Sequence, residues 1–111
     1  MILAVLGLNH KTAPVDVREC LACSEDTVKQ VLRRLEEHED ILECVVLSTC
    51  NRTEVYAVLD DVEDPPATLL DFLVRLAGPE GYTIAPEYLF YHAGDECIRH
   101  LFRVAGSIDS L

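Results

Sequence analysis

No apolar run in this sequence approaches the roughly 18 consecutive residues a membrane-spanning helix needs, because charged residues interrupt all of them. A soluble protein is expected. Basic residues are also scarce: nine Lys+Arg stand against 20 Asp+Glu, a formal net charge of −11, and only Lys11 and Lys29 are lysines. A nucleic-acid footprint normally shows as a basic patch, so composition argues against gripping RNA through many phosphate contacts. The same balance suits a protein working in concentrated salt, where self-repulsion is screened. Normal activity at low salt would remove the motive for that reading.

The five glycines, at 7, 78, 81, 94 and 106, form no GxGxxG and no P-loop, so no dinucleotide or triphosphate site is expected. A Gly-x-Ser-x-Gly elbow and an HExxH helix are likewise missing. Met1-Ile2-Leu3-Ala4 enters an apolar run without a basic n-region or small-residue cleavage site, so no secretory signal or transit peptide is expected and a cytoplasmic location follows by default. The five cysteines, at 20, 23, 44, 50 and 97, are odd in number, which disfavours a disulfide framework and leaves reduced thiols. Cys20 and Cys23 make a single CxxC, but zinc wants four ligands and no second pair completes the set, so no metal is expected. A redox CxxC should follow a strand and open a βαβ helix; this one precedes Ser24, a candidate helix cap.

What is present is half hydrophobic in 111 residues, enough for one core and burial of roughly two thirds of the surface. Residues 2 to 8 read as a buried strand, followed by the loop KTAPVDVREC. From Ser24, Glu25 and Asp26 suit a first helical turn, and Val28, Val31, Leu32 and Leu35 repeat at helical spacing. Ile41 to Cys50 is β-rich, Asn51-Arg52 is a polar break, and Thr53 to Leu59 alternates with Val55, Ala57 and Leu59 on one face; the two strands are expected to pair as a hairpin. Asp60 to Pro66 is an acidic loop, Thr68 to Ala77 a second helix stopped by Gly78-Pro79, and Leu89 to His92 a short strand. A last helix opens near Gly94-Asp95-Glu96, with Ile98, Leu101, Phe102 and Ala105 on one face, and ends near Gly106. The order strand, helix, strand, strand, helix, strand predicts an α+β, ferredoxin-like split βαβ sandwich, an antiparallel sheet with helices on one face, plus a C-terminal helix.

Two residues stand out chemically. Cys50 closes a hydrophobic strand and is followed by polar residues, at a strand end, where rigid scaffolds present reactive groups. A cation such as Arg52 nearby would enrich the thiolate that attacks carbonyls. The competing reading is ordinary core, since cysteine is among the most buried residue types. His100 lies about 150° from the centre of the terminal helix's apolar stripe, alongside Glu96 and Arg103, so it is not expected in the core. Beside Cys50 it could assist deprotonation of the thiol or protonate a leaving oxygen; the alternative is a solvated surface histidine. His10 and Lys11, just past the first strand, are second-tier candidates.

Three segments together, GLNHKTAPVDVRE at 7 to 19, STCNRTEVY at 48 to 56 and HLFRVAGSIDSL at 100 to 111, resemble the glutamyl-tRNA reductases. The resemblance implies an enzyme that reduces glutamate esterified to tRNA with NADPH, giving glutamate-1-semialdehyde for tetrapyrrole synthesis. It implies Cys50 as the nucleophile that holds glutamate as a thioester, and His100 as a histidine near it. Thr49, Asn51, Arg52 and Ser110 match positions lining the glutamate pocket, where Arg52 would meet a substrate carboxylate. It further implies that residues 1 to 111 are a single N-terminal catalytic domain, that the NADPH and dimerisation domains lie outside this chain, and that the full protein is a homodimer with a possible downstream aminomutase partner. Most tRNA contacts would then come from other regions or from local basic spots such as Arg33 and Arg34. One departure is Gly106-Ser107-Ile108-Asp109-Ser110, where the family reads small-Gly-Leu-Asp-Ser; it bears on the placement of Ser110. The rivals are a non-catalytic ferredoxin-like module that binds a ligand or a protein, and a metal or redox site at the CxxC.

Overall fold

The computed structural model describes residues 1–21, 24–33, 35–77 and 86–106. Four strands form one sheet: β1 (Ile2–Asn9), β2 (Ile41–Ser48), β3 (Arg52–Leu59) and β4 (Phe90–Ala93), in the order β2-β3-β1-β4. All three pairings are antiparallel. Helices α1 (Val15–Cys20), α2 (Glu25–Arg33), α3 (Pro65–Ala77) and α4 (Asp95–Ala105) connect or follow them, with 3₁₀ turns at Leu35–Glu37 and Pro86–Tyr88. This is the expected split βαβ arrangement, with β3 inserted between β1 and β2 and the short helix α1 added before α2.

Local chemistry sets the element boundaries. Ser24 caps α2, its Oγ accepting the Thr27 amide at 3.1 Å, as its position before an acidic first turn predicts. Asp64 does the same for α3 by accepting the Ala67 amide at 3.2 Å. That cap starts α3 at Pro65, three residues before the expected Thr68, since proline is favoured at the first helical position. Helix α1 replaces part of the expected loop; at 6 residues it is too short to show a hydrophobic period.

Alternation along the strands sorts two apolar layers. Ala4, Leu6 and Leu8 of β1 and Val55, Ala57 and Leu59 of β3 pack with Leu69, Phe72, Leu73 and Leu76 of α3 in the main core, joined at its edge by Val28 and Val31 of α2. Val5 and Tyr56 point the other way and meet Cys97 of α4. The terminal helix therefore covers the sheet face opposite α2 and α3, and β3 is buried on both sides.

The reversal that places α4 there occurs at Gly94, whose φ of 59° lies in the left-handed region that favours glycine. Its amide donates to the Leu3 carbonyl at 2.8 Å. From this end of the sheet α4 runs back toward the far ends of β1 and β2.

Candidate active site

The β2–β3 hairpin turns at Thr49-Cys50-Asn51, closed by a 2.8 Å bond from the Thr49 amide to the Arg52 carbonyl. Thr49 Oγ1 accepts the Asn51 amide at 3.2 Å, an inward bond that braces the turn locally. Across from it, Arg18 of α1 donates through Nε to the Cys50 carbonyl at 3.4 Å and through Nη1 to the Ala13 carbonyl at 3.0 Å. Thr53 Oγ1 reaches the Leu21 carbonyl at 3.3 Å. The extra helix thus ties the turn that carries the thiol to the end of β1.

Cys50 is exposed, not core. It lies in the wall of a cleft of about 550 Å³ with Leu47, Thr49, Asn51, Arg52, Leu101, Val104 and Ala105. Three of the expected pocket residues, Thr49, Asn51 and Arg52, are therefore gathered around the thiol, and α4 supplies an apolar opposite wall.

Behind that wall is a buried charge network that the strand pattern does not reveal. Glu54 is 0% exposed and Arg52 2%. Glu54 Oε1 takes Arg52 Nη1 at 3.1 Å and His100 Nε2 at 2.5 Å. Its other oxygen, Oε2, accepts the Tyr56 hydroxyl at 3.0 Å. Burying a carboxylate is costly unless it is paired and hydrogen-bonded, and these three donors satisfy it. Burial, then the charge of Glu54, pushes the Tyr56 hydroxyl far above its ordinary value; the same two causes, in the same order, raise the Cys97 thiol.

Gly7 makes room for the β3 backbone and the stem of the Glu54 side chain. It pairs with Glu54 across the β1–β3 ladder, and a Cβ there would meet Glu54 Cα and Cγ at 2.9 Å and the Thr53 carbonyl oxygen closer still.

His100 corrects the expectation that it faces away from the core. It is 9% exposed, while Ile98, Leu101 and Phe102 of the supposed core stripe are 41%, 42% and 71% exposed. Helix α4 buries Cys97, His100 and Val104. Periodicity locates apolar residues, not the buried face, and a histidine with a carboxylate partner can be buried in their stead. The imidazole stacks among Phe90, His92 and Tyr56, with ring centroids at 4.8, 5.2 and 6.4 Å. It does not line the Cys50 cleft; it borders a second depression with His92, Glu96, Arg99 and Arg103. The two sites are connected through Arg52 and Glu54.

The remaining candidates are scattered. His10 and Lys11 are exposed in a turn built on Asn9, whose Oδ1 accepts the Lys11 amide at 2.9 Å, and they stand at the same end of the sheet as Cys50. Ser110 lies outside the described residues, as do Arg34 and Cys23. Cys20 is a free thiol whose Sγ lies 3.4 Å from the Asp16 carbonyl, and no group of three metal-ligating side chains occurs among the described residues.

Residues 6–111 match the family model described as "Glutamyl-tRNAGlu reductase, N-terminal domain". The chain belongs to the glutamyl-tRNA reductase family. Relatives named glutamyl-tRNA reductase include one from Solibacter usitatus, 45% identical over 111 residues, and one from Desulforudis audaxviator, 48% identical, each match covering 100% of this chain and 26% and 24% of the relative. A solved structure, glutamyl-tRNA reductase from Methanopyrus kandleri, matches with a TM-score of 0.64 and 28% identity, over 98% of this chain and 23% of that one. The chain spans about a quarter of the length of these reductases. Cys50, Arg52, Glu54 and Tyr56 all fall in the segment STCNRTEVY, so the resemblance contained the network's residues even though alternation did not reveal their contacts.

Proposed function

We propose that residues 1–111 form one catalytic domain in which Cys50 takes the glutamyl group from glutamyl-tRNA as a thioester. The carrying observation is an exposed thiol, its own backbone carbonyl held by Arg18, in a cleft that also contains Thr49, Asn51 and Arg52.

The thiolate of Cys50 attacks the ester carbonyl, a C–S bond forms, the C–O bond to the terminal ribose breaks, and the ribose hydroxyl leaves with a proton. The reaction is covalent catalysis in two easier steps. Arg52 meets the side-chain carboxylate of the substrate; its guanidinium carries five N–H donors, so holding Glu54 through Nη1 is compatible with that task. Thr49 and Asn51 complete the glutamate pocket among the described residues; Ser110, also expected there, lies outside them. His100 holds Glu54 Oε1 through Nε2, and that oxygen also holds Arg52, so its part in catalysis is to fix Arg52 in the cleft wall.

NADPH does not fit the described residues. The sheet is antiparallel throughout, without the parallel βαβ crossover that seats a dinucleotide on a glycine-rich turn, and Gly7 is occupied against Glu54. Our reading therefore places NADPH-dependent reduction to glutamate-1-semialdehyde and homodimer contacts outside residues 1–111, with the product serving tetrapyrrole synthesis in the cytoplasm and an aminomutase as the downstream partner. On its own the domain forms the thioester and loses it to water, as a slow esterase releasing glutamate.

Rapid acid quench with glutamyl-labelled tRNA tests this. Label bound covalently to wild type and absent from Cys50→Ser supports it; two folded but unlabelled proteins would sink it.

A further inference from the structure

Cys50 and Asn51 are the two central residues of the turn that joins β2 to β3, between Thr49 and Arg52. Turns that share their end residues differ by rotation of the peptide between the central pair, through ψ of the first and φ of the second. Asparagine at the second central position tolerates either orientation, since it enters the left-handed region more readily than most residues. Left to itself, the peptide next to the nucleophile is therefore free to flip.

Side chains hold both of its polar atoms. The Asn51 amide donates to Thr49 Oγ1 at 3.2 Å, and the Cys50 carbonyl accepts from Arg18 Nε at 3.4 Å. A flip would break both bonds at once.

The Arg18 bond is the one that reaches outside the turn. Its Nη1 donates to the Ala13 carbonyl at 3.0 Å, and the Ala13 amide donates to the Asn9 carbonyl at 2.9 Å. Asn9 pairs with Arg52 across the β1–β3 ladder, and the Arg52 carbonyl takes the Thr49 amide at 2.8 Å. These links close into a ring that begins and ends in the nucleophile's turn, and Arg18 supplies its only side chain. The helix that carries Arg18 is held in turn by Thr53, whose Oγ1 donates to the carbonyl of its C-cap residue Leu21.

We propose that Arg18 is a positioning residue for Cys50 acylation: it locks the Cys50–Asn51 peptide in one orientation and so fixes how the thiol meets the ester. This rests on the thioester reading above. Arg18 acts through the backbone, by its bond to a carbonyl, and not through its charge. Misplacing a reacting group by about 1 Å costs on the order of a hundredfold in rate.

Two substitutions separate the bond from the charge. Glutamine ends in an amide nitrogen as many bonds from Cα as arginine Nε, so Arg18→Gln keeps a donor for the Cys50 carbonyl and loses the charge. Methionine matches that length without a donor. In rapid acid quench of the full chain with saturating glutamyl-labelled tRNA, Arg18→Met should label about a hundredfold more slowly than wild type. Arg18→Gln should keep most of the wild-type rate, and the half-saturating tRNA concentration should be unchanged in both. In amide NMR spectra the Asn51 signal should broaden or double in Arg18→Met alone. A wild-type rate in Arg18→Met, equal losses in the two variants, or a raised half-saturating concentration would overturn the proposal. The first would leave it without effect, the second would assign the role to charge, and the third would make Arg18 an RNA contact. Wild type that takes no label sinks the thioester reading and this proposal with it, whereas labelled wild type beside an equally fast Arg18→Met removes this proposal alone.

Discussion

Arg52 and His100, 48 positions apart in sequence, meet on one atom, Glu54 Oε1, at 3.1 and 2.5 Å. One is in the wall of the thiol cleft and the other in the seam beneath α4, so a single carboxylate sets the position of both. Removing one partner of a buried ion pair costs about 3–5 kcal/mol, because the other charge is left uncompensated. Glu54→Gln should lower the unfolding free energy by that amount, read as a lower urea midpoint with an unchanged m-value, and should slow Cys50 acylation more than it weakens RNA binding. A midpoint like wild type would show that the network does not hold the fold.

Gly7→Ala should be destabilising by about 1–3 kcal/mol, the usual cost of overpacking, because the added methyl meets the Glu54 backbone and side chain. Combined with Glu54→Ala the loss should be less than the sum, since the two residues touch. Strict additivity in the double-mutant cycle would refute the idea that Gly7 makes room for the Glu54 side chain.

The thiols should separate by accessibility. Cys50 is exposed, while Cys97 is buried and its thiol is raised by burial and by Glu54. Brief iodoacetamide treatment near neutral pH followed by peptide mass spectrometry should modify Cys50 in the folded protein and Cys97 only after denaturation. Early modification of Cys97 would mean that α4 does not cover it.

Stability should fall in alkali through Tyr56. Its hydroxyl is raised above the ordinary 10.0 by burial first and then by Glu54, so the folded state keeps a proton that the unfolded chain gives up. The contribution is fully present below about pH 10 and is lost as pH climbs above it. Urea midpoints measured across this range should decline in wild type and decline less in Tyr56→Phe. Parallel curves would assign the alkaline loss to other groups.

The two faces of α4 should respond oppositely to truncation. Phe102, at 71% exposed, should tolerate alanine within about 0.5 kcal/mol. Val104→Ala should cost about 1.6 kcal/mol, at about 0.8 kcal/mol per buried carbon. The reverse ranking in thermal unfolding would restore the apolar stripe as the buried face.

That stripe also shows where sequence reading stops. The strands and most helices were legible because period-2 and period-3.6 patterns mark which residues are apolar, and β3 put Val55, Ala57 and Leu59 on the core face as expected. The other face of β3, Arg52-x-Glu54-x-Tyr56, alternates like a solvated surface. Only a helix some forty residues later in the chain buries it, and no local pattern carries that information. The available cue was Arg52 and Glu54 two residues apart, opposite charges on one face of one strand. Cys50 and its neighbours were legible because a turn exposes whatever it contains, whereas the burial of His100 depends on a partner distant in sequence.

Helix α4 fastens to the sheet by few buried side chains, Cys97, His100 and Val104, and its apolar layer shares no member with the main core. Cooperative units of this kind open below the global unfolding free energy. When α4 lifts, water reaches Glu54 and Arg52 and the cleft loses a wall, while the layer beneath α2 and α3 stays closed. Amide exchange in α4 should therefore outpace that in β1 and β3, the expected mark of an opening in which most of the fold persists and the cleft does not.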